Sequence, residues 1–85
     1  MNESEVIARA EALPELFADR VRPDDLDGMR SMAGGGEWQE LIDLLVASLG
    51  VTGAPVTAAE REELRSLLTA MGMPDDGLAS LNIVS

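Results

Sequence analysis

The run from Trp38 to Leu49 constrains this chain most. Trp38, Leu41, Ile42, Leu45, Val46 and Leu49 recur there at i, i+3, i+4, i+7, i+8 and i+11. At 3.6 residues per turn these positions form one apolar stripe along a helix, and a stripe of that width has to be covered by other elements. Gln39, Glu40, Asp43 and Ala47 fall on the opposite side, and Gly50 is the expected stop, so the pattern predicts a helix over 37–49. Membership of the stripe puts Trp38 in the core.

The cover comes from three further helical patterns. Val6, Ala10, Leu13 and Phe17 share one side of a first helix over 3–20, with Asn2 and Glu5 placed as a capping pair and Pro14 expected to break it. Arg22-Pro23-Asp24-Asp25 opens a second, over 24–33, because proline is preset for a first helical turn and carboxylates suit the positive end of the helix dipole. Leu26, Met29 and Ala33 follow at helical spacing, and Gly34-Gly35-Gly36 ends the element. Thr57-Ala58-Ala59-Glu60 matches a capping box, so a fourth helix is expected over 58–71. Its core side is Leu64, Leu67, Leu68 and Met71, and Gly72 before Met73-Pro74 is its stop. A short turn is expected over 75–80. Residues 51–56 read as a plain connection, and the tail Leu81-Asn82-Ile83-Val84-Ser85 reads as extended without a partner strand. The expected fold is all-α: one domain over 1–85, a compact bundle of four to five short helices.

Composition narrows the chemistry. The chain has no His, Cys, Lys or Tyr, which removes imidazole and thiolate nucleophiles, Schiff-base lysines, zinc sites and disulfides together. An enzyme is not expected, nor a cofactor. Six arginines stand against sixteen acidic residues, a formal charge of −10. Such a field repels nucleic acid and anionic lipid and favours a basic protein surface. The acidic start, Asn2-Glu3-Ser4-Glu5, lacks the features of a signal peptide, and the uncharged stretch from Leu44 to Pro55 is too short to span a bilayer, so the expected location is cytoplasmic.

Specific motifs fail on spacing. Asp25 and Asp27 before Gly28 can be aligned to a calcium loop only with Pro23 at its first position and Gly34 where a bidentate glutamate belongs. Asp75-Asp76-Gly77 fails similarly, so no metal is expected. Neither Ser48-Leu49 nor Ser80-Leu81 follows the aspartate of a phosphopantetheine site, and the three glycines lead into Glu37, which repels phosphate. What remains is an acidic surface. The candidate partner-binding residues are Asp24, Asp25 and Asp27 at one helix start and Glu37, Glu40 and Asp43 along the next helix, with no catalytic residue among them. Beside a binder of a basic protein, two rival classes stay open: an adaptor or regulatory module that forms homo-oligomers through an apolar helix face, and a carrier or enzyme, which would need a modification or a bound ligand.

Gly36-Glu37-Trp38 opening an amphipathic helix, the segment from Gly53-Ala54-Pro55-Val56-Thr57 through Glu60-Arg61-Glu62-Glu63-Leu64, and Met71-Gly72-Met73-Pro74 together resemble a group of small actinobacterial helical proteins. Within that group the layout is similar to MafI-type immunity proteins, which neutralise polymorphic or contact-dependent toxins. The resemblance covers roughly Pro23 to Val84. The all-arginine basic set and the abundant Ala, Gly and Asp agree with a GC-rich genome. The resemblance implies a protein that binds a cognate toxin domain and occludes it. It supplies no catalytic motif, and the family's contact residues vary with the toxin, so no site is carried over.

Overall fold

Capping residues start two of the four helices, and a proline at the first position starts a third. In the computed structural model, which describes residues 1–84, α1 spans Glu3–Leu16, α2 Pro23–Gly34, α3 Trp38–Thr52 and α4 Ala58–Ala70. A 3-10 segment covers Asp76–Ser80, and two short strands, β1 (Pro55–Thr57) and β2 (Asn82–Val84), complete the described chain. Asn2 Oδ1 accepts the Glu5 N–H at 2.8 Å to begin α1. Thr57 and Glu60 form the reciprocal capping box of α4: Glu60 N–H donates to Thr57 Oγ1 at 3.1 Å and Thr57 N–H to Glu60 Oε1 at 3.0 Å.

The chain is mostly helical, with departures from the expected pattern. Pro14 does not break the first helix; it is buried within the last turn of α1. A proline that close to the end forfeits one backbone hydrogen bond, and the helix runs two residues further. Residues 17–20 are then turn rather than helix. Gly50 does not stop α3, which continues to Thr52 and ends at Gly53, where φ is 66° and the N–H returns to the Leu49 carbonyl at 3.0 Å. Of the three consecutive glycines at the end of α2, Gly36 is the one with positive φ, 71°. Its conformation lets the Glu37 N–H reach back to the Met32 carbonyl at 2.9 Å and close the helix end.

The larger correction is the strand pair. Residues 55–57 and 82–84 run parallel in the register Pro55–Asn82, Val56–Ile83, Thr57–Val84. Parallel strands need a crossover, and α4 with the 3-10 segment supplies it, so the C-terminal third of the chain is a miniature β-α-β unit. Three residues per strand are too few to show a period of two. Only Val56 turns inward and is fully buried, while β2 is exposed throughout.

α2 and α3 form an antiparallel pair: Arg22 N–H donates to Ser48 Oγ at 3.3 Å near one end, and the Gly36 turn joins them at the other. Between these points a methyl group on Gly28 would stand 3.3 Å from Leu44 Cδ2, so the glycine permits a close approach. α1 packs against both, and α4 packs on α1 and on the strands. The core gathers Leu13 and Phe17, Met29, Leu41, Ile42, Leu45 and Leu49, Val56, Leu64, Leu67 and Leu68, and Leu78 and Leu81. The radius of gyration is 11.7 Å, against about 12 Å expected of a compact chain this long. Trp38 is only half-buried. It opens α3 at the rim of the core.

Candidate partner-binding surface

Every arginine lies within 3.7 Å of a carboxylate oxygen, and Arg9, Arg20, Arg22 and Arg30 are in hydrogen-bonded pairs. Arg20 lies 4.5 Å over the Phe17 ring and holds both Glu60 oxygens, at 2.7 and 2.8 Å. The same guanidinium donates to the Leu16 carbonyl at 3.0 Å and the Pro55 carbonyl at 3.1 Å, tying the end of α1 to β1 and the start of α4. Arg9 pairs with Glu63 across α1 and α4, and Arg30 pairs with both oxygens of Glu15 at 2.8 and 3.2 Å. Arg22 holds Asp25 at 2.8 Å; Arg61 and Arg65 share Glu62, with Asp75 3.8 Å from Arg65.

The carboxyl groups answer to this pairing. Arg20 holds Glu60 down to about 2 from its ordinary 4.5, aided by Thr57 and opposed by burial. Arg9 lowers Glu63 and Arg30 lowers Glu15. Arg22, then the Ser48 hydroxyl, lowers Asp25. Each of these shifts reflects an ion pair made within the fold.

Seven of the sixteen acidic side chains are therefore in ion pairs, and nine carry their charge unpaired among the described residues. Five of the six candidate residues, Asp24, Asp27, Glu37, Glu40 and Asp43, are in the unpaired set, and all five are exposed. Asp25 is not; it is half-buried and held by Arg22 beside the buried Ser48.

The candidates do not form one patch. Glu37 and Glu40 border a cleft of about 320 Å³ at the start of α3, together with Trp38, Glu3, Val6 and Ile7 of α1, and Met71. Gln39 braces this corner by donating to the Met71 carbonyl at 3.2 Å. Asp24 and Asp25 line a separate hollow with Arg22 and Pro23. Asp43 borders a third, with Val46, Ala47, Gly50, Val51, Gly77 and Ser80. Sequence reasoning missed Glu3, Val6, Ile7 and Met71 as companions of Glu37 and Glu40. Nothing in the sequence pattern places the first turn of one helix beside the first turn of the third.

Among the described residues no three carboxylates come close enough to hold a metal ion, and no helix is long and apolar enough to cross a membrane. The surface can attract a cation through its field and offer it carboxylates on a partly apolar wall. Compared with protein-family models, curated proteins and solved structures, the chain gives no match.

Proposed function

We propose that this protein is a non-catalytic binder of a basic protein domain, acting in the cytoplasm as an immunity protein of the MafI type that occludes a cognate toxin. The observation that carries the reading is the charge distribution: all six arginines are within ion-pair distance of carboxylates of the fold, and the nine remaining carboxylates face solvent with no cation partner among the described residues. Toxins that act on nucleic acid carry basic surfaces for phosphate, and an acidic inhibitor competes for that surface. About 800 Å² on each side would make a stable complex, a minor part of the 4602 Å² of accessible surface that the molecule exposes.

The test is rescue. The open reading frame immediately upstream is expressed in a bacterium with and without this protein, and the two are co-purified. Relief of toxicity with a salt-sensitive complex is the expected result. Absence of both toxicity and complex overturns the reading. A second reading has its own observation: Val51 is 68% exposed beside Val46, Ala47 and Gly50, an apolar strip suited to self-association. Sedimentation showing a salt-insensitive dimer would favour the adaptor class.

A further inference from the structure

We infer that the cleft between the first turns of α1 and α3 is the seat of one arginine or lysine side chain, presented by an amphipathic segment of the basic partner. The inference rests on the reading of the chain as a binder of such a partner and names the place and chemistry of the contact. Glu3, Glu37 and Glu40 border the cleft, and none of them is in an ion pair among the described residues. Val6, Ile7 and Trp38 give the same cleft an apolar wall.

That combination matches the anatomy of a long basic side chain. Its aliphatic stem packs on apolar surface while its charged head reaches polar groups, and a guanidinium also gains from an aromatic ring. The volume, about 320 Å³, sits at the low end of ligand pockets, which span roughly 300–1,000 Å³, and suits one long side chain. Tryptophan is among the residues enriched at the anchoring positions of protein interfaces. The other hollows lack the combination. Arg22 lines the one at Asp24 and already neutralises its neighbour, and Asp43 stands as the one carboxylate among the residues bordering the hollow beside Val51.

Trp38 is the only tryptophan and there is no tyrosine, so its emission reports on the cleft directly. The probe is an amphipathic ten-residue peptide of leucine and arginine, with the glutamate analogue as control, followed by Trp38 fluorescence and calorimetry at low salt. The expected result is binding that shifts the emission and weakens at least tenfold in E37Q/E40Q. D24N/D27N, which removes the same charge elsewhere, should change affinity less than threefold. Thermal melts matched to wild type establish that both variants are folded. Equal weakening by the two variants, or heat of binding with no change in Trp38 emission, overturns the cleft assignment while leaving a basic-partner surface standing. Absence of heat with any basic peptide overturns the partner reading as well.

Discussion

Arg20 shows what one residue contributes that charge counting misses. Its side chain is 19% exposed and that of Glu60 18%, so the pair is shielded more than a surface ion pair, and the fork geometry serves two carboxylate oxygens and two carbonyls. Lysine keeps the charge but cannot reproduce the fork. Arg20→Lys is expected to destabilise the fold by about 2 kcal/mol in urea titrations, the usual scale for hydrogen bonds to charged groups. Glu60 gives the complementary pH test. Its folded value is about 2 against an ordinary 4.5, so its stabilising effect is complete above about pH 4.5 and is lost as pH falls toward 2. The stability gap between wild type and Glu60→Gln should therefore be largest near neutrality and narrow through that window. Nothing in the sequence marks Arg20 among six arginines, because its partners lie as far as forty residues away. The same holds for the candidate carboxylates. Their identity and exposure follow from sequence spacing, but Asp25 and Asp24, adjacent in sequence, have opposite fates because Arg22 and Ser48 reach only the first.

At the scale of elements, starts were more legible than stops. The caps at Asn2 and Thr57 are local, made by a side chain and a backbone group three residues on, so reading them needs no fold. Stops depend on which glycine the surrounding packing turns to positive φ. Gly50 stays helical and a methyl group there would meet only Ser80 Cβ at 3.9 Å, whereas Gly53 holds φ at 66°. Gly50→Ala is expected to raise stability by about 0.5–1 kcal/mol and Gly53→Ala to lower it by about 1 kcal/mol or more. Thermal melts of the two variants should therefore move in opposite directions. The strand pair has a comparable handle in Val56, the inward residue of β1, fully buried. Val56→Ala should cost about 2 kcal/mol by lost burial and cavity formation, with faster amide exchange in β2 if the pairing loosens. β1 and β2 escaped sequence reading because twenty-four residues separate Thr57 from Asn82 and only one side chain of either strand enters the core.

On the scale of the whole molecule, a net charge of −10 acts in two directions. The unpaired carboxylates repel one another within the fold, and the same field attracts a basic partner. Raising sodium chloride from low to moderate concentration should therefore raise the melting temperature by a few degrees, on the order of 1 kcal/mol, while weakening any complex with a basic peptide. A melting temperature that falls with salt would show that the internal ion pairs outweigh the repulsion. What the sequence determines by itself is whatever is periodic or local: four helices, the stripe of α3, the caps, the core leucines and the sign of the surface. These depend on residues within a turn or two of one another, or on a simple count. Tertiary structure alone decides which arginine locks which element, that residues 55–57 and 82–84 pair, and that Glu3 comes to stand with Glu37 and Glu40 around a half-buried tryptophan. Those arrangements follow from how the apolar faces of α1, α3 and α4 share one core, and no local pattern encodes the angle at which three such faces meet.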